Sequence, residues 1–238
     1  PAILARVIQM IGAETWTAMS QDVKGDIYEG LLQRIAEDTK SGAGQYFTPR
    51  PLINTIVKCV QPKPEKTICD PCCGSGGFLL AAKSYIESSY QLDADQKKFL
   101  KNEAFHGWEI VPATRRLCPM NLFLHNIGDF NDVPPITRND ALLSDPGVRF
   151  DYVLTNPPFG KKATLKAAAG EDGELVDEEL SYSRQDFWAT SSNKQLNFVQ
   201  HIHTILKTGG TAAVVVPDNV LFEGGAGETA RRKLLETT

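Results

Sequence analysis

Two short stretches carry residue types that can do chemistry. Asn156-Pro157-Pro158-Phe159 stops an apolar run, Phe150 to Thr155, on a short amide, two prolines and an aromatic ring. A side-chain amide offers both an acceptor and donors. Proline fixes its own φ and restricts the residue before it, so Asn156 has few conformations to lose. Taken alone, the four residues also read as a plain strand-ending turn, because Asn-Pro starts many turns. The second stretch is Asp70-Pro71-Cys72-Cys73-Gly74-Ser75-Gly76-Gly77, after the short run Lys66 to Cys69. Its glycines tolerate positive φ and let backbone approach a ligand closely.

The ligand of the glycine turn can be narrowed by exclusion. A phosphate-binding loop needs Lys-Ser/Thr after its last glycine, and here Phe78-Leu79 follows. The dinucleotide fingerprint fits Gly74-x-Gly76 but puts Leu79 where its third glycine belongs. A nucleoside without phosphates fits better, since the neighbouring charges are carboxylates. Glu109, at the end of a second strand, can accept from both ribose hydroxyls. Asp140, after a brief third strand, can accept from an adenine amino group. Each acid taken alone also reads as a solvated strand end; the series at successive strand ends is the stronger signal.

These residues need strands to present them, and the chain supplies a repeating pattern. The first forty residues read as helix, with Val23, Ile27, Leu31 and Ile35 at four-residue intervals and Ser20 as N-cap. A helix over 51–60 follows, then a strand at 66–70 and a helix whose stripe is Phe78, Leu79, Ala82, Tyr85 and Ile86. Residues 104–110 read as a strand, and Pro112 opens a helix with the stripe Ala113, Leu117, Met120 and Leu124. Strands are expected at 136–140 and 150–155, and a helix at 193–207 ending on Gly209-Gly210. Thr211 to Val216 reads as a strand in the buried middle of a sheet, and a last helix starts at Glu228. The alternation predicts an α/β fold with a mostly parallel sheet and right-handed crossovers. Residues 161–192, rich in acids, interrupt it as an irregular, mobile surface loop.

Composition sets the frame. With 42% hydrophobic and 23% charged residues among 238, the chain reads as an ordinary globular protein. No run is long and apolar enough to cross a bilayer, and no signal peptide opens the chain. It begins on proline, which suggests a piece of something longer. A net charge of −4 implies that a partner supplies much of any phosphate contact. Cys69 and Cys72 have the C-x-x-C spacing, but no second pair completes a zinc site, so no metal is expected. The five cysteines read as reduced residues of a cytoplasmic protein. His106, His125, His201 and His203 suggest no ligand set. Lys161, Lys162 and Lys166 suggest a phosphate contact or a plain solvated loop. Gly224, Gly225 and Gly227 suggest either a loop near bound nucleic acid or the start of a helix.

The glycine turn with Phe78-Leu79, taken together with Asn156-Pro157-Pro158-Phe159, resembles the amino-methylating DNA methyltransferases. Gly44-Gln45-Tyr46-Phe47-Thr48-Pro49-Arg50 and Asp22-Val23-Lys24-Gly25-Asp26-Ile27-Tyr28-Glu29 narrow the resemblance to the modification subunit of type I restriction-modification systems. It runs over nearly the whole chain. It implies a Rossmann-like methyltransferase fold over 45–238, preceded by part of a helical domain over 1–44, with the last strands of the sheet missing. It implies S-adenosylmethionine as methyl donor and adenine in DNA as acceptor. By position, Phe47, Thr48 and Pro49 would touch the methionine part of the donor; Asp70, Cys72, Gly74 and Gly76 would form its floor. Cys72 stands where alanine is more usual. Glu109 would hold the ribose and Asp140 the donor's adenine. Asn156, Pro157, Pro158 and Phe159 would hold the target base. The implied partners are DNA, a specificity subunit, a restriction subunit and a second modification subunit.

On that resemblance the asparagine has a chemical reason. Adenine's exocyclic amine is a poor nucleophile because its lone pair is delocalised. Acceptors for its hydrogens, Asn156 Oδ1 and the Pro157 carbonyl, would draw the nitrogen toward tetrahedral geometry. Phe159 would stack on a base flipped out of the duplex. Two alternatives share the motif: methylation of a protein glutamine or of RNA, and a donor-binding module without activity.

Overall fold

A computed structural model of the chain describes residues 2–15, 48–112, 114–129, 133–159, 164–169, 174–179 and 182–237, with positions 19, 25, 27, 28, 30, 31 and 34. Five short strands pair side by side, all parallel: β1 (Ile68–Asp70), β2 (Phe105–Trp108), β3 (Ile136–Thr137), β4 (Phe150–Thr155) and, after the hairpin described below, β7 (Leu206–Val214). Their order is β3-β2-β1-β4-β7. The order reverses between β1 and β4, which opens a crevice beyond the carboxyl ends of those two strands. Asp70 ends the one and Thr155 the other, so the fold brings the two chemical stretches to one place.

Alternation along the strands decides which helices cover which face. Ile68 of β1, Phe105 of β2 and Leu154 of β4 enter one core with Ile53 and Val57 of α2 (Arg50–Val60) and with Leu79 and Ile86 of α3 (Gly77–Ser89). The same core takes Leu100 of α4 (Ala94–Asn102) and Leu122 of α5 (Thr114–Leu124). Cys69 and Val153, one residue out of phase, face Ile202 and Ile205 of α6 (Lys194–Ile205). Gly107 is required between β1 and β3: a Cβ there would lie 2.9 Å from Ile136 Cδ1 and 3.0 Å from the Asp70 carbonyl oxygen. At the far end of the sheet Asp151 accepts from Thr67 N and Oγ1 and from Lys207 Nζ, tying three elements together.

Several expectations change. α1 (Ala2–Ala13) stops well short of residue forty, with no buried residue; residues 25, 27, 28, 30, 31 and 34 are helical. The expected cap Ser20 and the stripe residues Val23 and Ile35 lie outside the described residues. Helix α4 was not expected, although its capping box, Asp93 with Gln96, stands in the sequence. In α5 the buried residues are Cys118, Pro119, Asn121 and Leu122, while Met120 of the expected stripe is exposed and Ala113 lies outside the described residues. α6 ends at Ile205 with Leu206 already extended; Gly209-Gly210 lies in the irregular start of β7 instead of capping the helix. β7 is the edge strand among the described residues and is largely exposed, not buried in mid-sheet. Within 161–192, β5 (Thr164–Ala169) and β6 (Glu174–Glu179) form an antiparallel hairpin, and 182–192 packs on α6, in place of the expected irregular loop. Lys161 and Lys162 lie outside the described residues, as does the side chain of Lys166. Beyond β7, α7 (Asp218–Phe222) and α8 (Ala226–Thr237) follow, with Gly224 and Gly225 leading into α8. No helix among the described residues is long and apolar enough to cross a membrane.

Candidate functional site

Asp70 is buried at the tip of β1. Its Oδ1 accepts the Cys72 N–H at 3.1 Å and the Thr155 hydroxyl at 2.6 Å, so the carboxylate links β1, the turn and β4. Burial pushes its pKa up to about 7; the hydrogen bonds from Thr155 and Cys72 pull the other way, and Glu109 adds to the rise. Cys72 Sγ lies 2.9 Å from Thr155 Oγ1. Burial and then the Asp70 charge hold its thiol well above the ordinary range, so it stays protonated at neutral pH. Gly74 and Gly76 both have positive φ, at 55° and 89°. Gly76 caps α3, and a Cβ there would press on Leu122 and Cys118 of α5, so packing as well as conformation demands glycine.

The crevice is a cleft of about 290 Å³. Cys72, Gly74, Glu109, Asp140, Asn156, Pro157 and Pro158 all line it. Glu109 accepts the Val111 N–H at 2.7 Å. Burial raises its pKa, while the N–H groups of Val111, Gly74 and Ile110 act to lower it. Asp140 Oδ1 accepts the Leu142 N–H and Oδ2 accepts the Tyr182 hydroxyl, each at 2.9 Å. Two acids from neighbouring strand ends thus face one cleft with different duties available: a ribose-like diol at Glu109 and an amino group at Asp140.

Asn156 stands at the rim between the glycine turn and the Pro-Pro turn. Its Nδ2 donates to Thr48 Oγ1 at 2.9 Å, and its Oδ1 is buried with no hydrogen-bond partner among the described residues. A buried amide oxygen left unpaired is costly, which marks it as an acceptor that a ligand completes. The turn is held from outside the motif: Gln195 Nε2 donates to the Pro158 carbonyl at 3.1 Å. Pro157 is buried, Pro158 is exposed and Phe159 is half-buried. Pro49 precedes α2 as its N-cap. Phe47 lies outside the described residues. Thr48, Pro49, Asp70, Gly76 and Phe159 do not line the cleft; Asp70 lies beneath it.

The structure adds residues that the sequence did not single out. Trp108, Ile110, Asn139 and Phe198 line the cleft, and Thr155 and Gln195 brace it. Trp108 and Thr155 belong to the same strand ends as Glu109 and Asn156, so a rule taking the last two residues of each strand would have found them. Phe198 and Gln195 come from α6, whose approach no local pattern announces. Among the described residues no group of three or more His, Cys, Asp or Glu side chains is placed to hold a metal ion.

Comparison with known proteins adds to this geometry. The profile of the N-6 DNA Methylase family matches residues 19–238. The chain is 44% identical over 247 residues to the methylase subunit of type I restriction enzyme StySJI from Salmonella typhimurium, covering 99% of this chain and 44% of that protein. It is 46% identical over 224 residues to the type I restriction enzyme EcoKI methylase subunit of Escherichia coli K12, covering 91% of this chain and 39% of that one. The crystal structure of the EcoKI M protein superposes with a TM-score of 0.67 at 43% identity, covering 82% of this chain and 38% of its own. The chain therefore spans less than half the length of these relatives.

Proposed function

This chain belongs to the N-6 DNA methylase family, and on that premise we propose that the whole protein transfers a methyl group from S-adenosylmethionine to N6 of adenine in DNA. It acts as the modification subunit of a type I restriction-modification system, with residues from 45 onward as its catalytic domain and 1–44 as part of a helical one. The observation that carries the reading is Asn156 Oδ1, a buried acceptor with no hydrogen-bond partner among the described residues, in a cleft that Glu109 and Asp140 also line.

The donor's sulfonium supplies an activated methyl group and a good leaving group. Glu109 accepts from the ribose hydroxyls, Asp140 from the donor's adenine amine, and Asp70 beneath the turn supplies negative charge toward the cationic end. Thr48 and Pro49, with Phe47, border the methionine part. Cys72, Gly74 and Gly76 shape the floor. Asn156 Oδ1 and the Pro157 carbonyl take the two hydrogens of the target amine and localise its lone pair. Pro158 and Phe159 hold the flipped base. When bound, the donor would supply an electrophilic methyl group whose transfer to the amine would leave a neutral thioether and release one proton to water. Holding nitrogen and methyl in line at about 3–3.5 Å supplies much of the acceleration, so no strong base is needed.

DNA, a specificity subunit, a restriction subunit and a second modification subunit are the proposed partners. The test is exposure of DNA to the full-length protein, reconstituted with its specificity partner and labelled donor, followed by mass spectrometry. Label in 6-methyladenine is expected. Label in RNA or in protein glutamine instead, or none at all, rejects the reading.

A further inference from the structure

Tyr182 follows the β5–β6 hairpin and reaches Asp140, which lines the cleft. It is 8% exposed and packs with Ala141, Leu142, Phe187 and Phe198. Its hydroxyl donates to Asp140 Oδ2 at 2.9 Å, while Leu142 N holds the other oxygen. A carboxylate gripped at both oxygens keeps one orientation, and its remaining lone pairs face whatever occupies the cleft.

The tyrosine is itself anchored. Tyr182 N donates to the Ser191 carbonyl at 3.3 Å, closing residues 182–191 into a bridge. Asn197 Nδ2 donates to the same carbonyl at 2.7 Å, and Gln200 clasps the N–H and carbonyl of Ala189 at 2.8 and 3.0 Å. Arg184 pairs with Asp186, lies 4.2 Å above the Phe187 ring, and donates to the Leu142 carbonyl at 3.3 Å. Its other contact is His201 Nδ1 at 3.0 Å. The segment therefore stands on α6 and holds the 140–142 turn at two points.

We propose that Tyr182 is a specificity-determining, positioning residue that fixes Asp140 so that the cleft selects a methyl donor whose purine carries a 6-amino group. The inference rests on the donor reading of the cleft. An ionised carboxylate only accepts, so it rewards an amino N–H and opposes a 6-oxo oxygen. Without the hydroxyl, Asp140 Oδ2 loses its brace and the side chain is free to turn from the cleft. Burial, and then the bond to Asp140, hold the Tyr182 hydroxyl well above its ordinary range, so the proton stays on tyrosine and the acceptor role on aspartate.

The experiment is calorimetric titration of the full-length protein with S-adenosylhomocysteine and with S-inosylhomocysteine, in which oxygen replaces the amine. The wild type should prefer the adenosyl compound by about a hundredfold or more. In Tyr182→Phe, affinity for the adenosyl compound should fall about tenfold while affinity for the inosyl compound changes less than twofold. The preference therefore shrinks about tenfold. Equal weakening toward both compounds, an unchanged preference, or a variant that does not fold would make the hydroxyl a structural strut and overturn the proposal. A wild type that binds neither compound would overturn the donor reading itself.

Discussion

On the proposed reading, Asn156 and Asp70 would divide the work of the site between chemistry and binding, and each gives its own measurement. Asn156→Ala removes the acceptor and should lower turnover at least about a hundredfold, the size seen when one group aimed at developing charge is deleted. Donor affinity should stay within about twofold, because on the proposed reading the amide would contact the target base and not the donor. Single-turnover methylation alongside donor titration separates the two; undiminished turnover would end the mechanism. Asp70, with its pKa at about 7, sets a pH dependence of a different kind. A cationic donor favours the ionised carboxylate, so donor affinity should rise with pH below about 7 and level off above it. The methyl-transfer rate at saturating donor should stay flat, because no titrating group acts in that step. In the free protein the folded state keeps a proton that the unfolded chain has released. Stability from this group is therefore full below 3.8 and is lost as pH rises through about 7. The slope is at most about 1.4 kcal/mol per pH unit. Asp70→Asn should flatten it in urea titrations at several pH values. Glu109 and Asn156 were legible because each ends an apolar run. Tyr182 and Gln195 were not: each meets its partner about forty residues away, through a helix whose docking angle no local pattern encodes.

At the scale of elements, the site depends on how closely β1, β2 and the 182–192 segment are packed. Gly107→Ala places a methyl group against the backbone oxygen of Asp70, which cannot yield as a side chain would. We expect a loss of about 1–3 kcal/mol, read from the urea midpoint, and weaker donor binding because the carboxylate of β1 shifts with its backbone. Arg184→Ala strips Asp186 of its ion pair, His201 of its donor and Phe187 of its cation. Arg184 is nearly buried and Asp186 partly so, which puts the cost at about 2–4 kcal/mol, below that of a fully buried pair. His201, pushed down to about 4 chiefly by burial and then by Arg184, stays neutral and accepts from the guanidinium. The strands and most helices were legible from periodicity and caps. The helix–strand junction at Ile205–Leu206 was not, because the glycines that suggest a helix stop serve an irregular strand start; a Cβ at Gly210 would lie 2.9 Å from the Asp151 carbonyl oxygen.

For the whole molecule, a net charge of −4 limits what the chain does alone. Electrostatic attraction supplies nearly all non-specific binding to a duplex. With that net charge, this chain without its proposed partner should bind duplex DNA no better than about 10⁻⁴ M at physiological salt, the weak end of the non-specific range. Addition of the specificity subunit should tighten binding by orders of magnitude and restore a steep salt dependence. Fluorescence anisotropy at several salt concentrations checks this, and tight, salt-sensitive binding by the lone subunit would contradict it.

The sequence by itself determined the chemistry on offer: an amide locked before two prolines, a glycine turn after an aspartate, and acids at successive strand ends. It determined the parallel α/β plan as well, because apolar runs and helical stripes alternate along the chain. Only the tertiary structure decided that these groups share one cleft, since the reversal between β1 and β4 is a property of strand order and not of any segment. It alone decided that the hairpin's foot reaches Asp140, that α6 braces the Pro-Pro turn, and that Asn156 Oδ1 is buried without a partner among the described residues. Those facts come from side chains far apart in sequence meeting where water is excluded, and there an unpaired oxygen or a shared proton carries an energy that it lacks on an exposed chain.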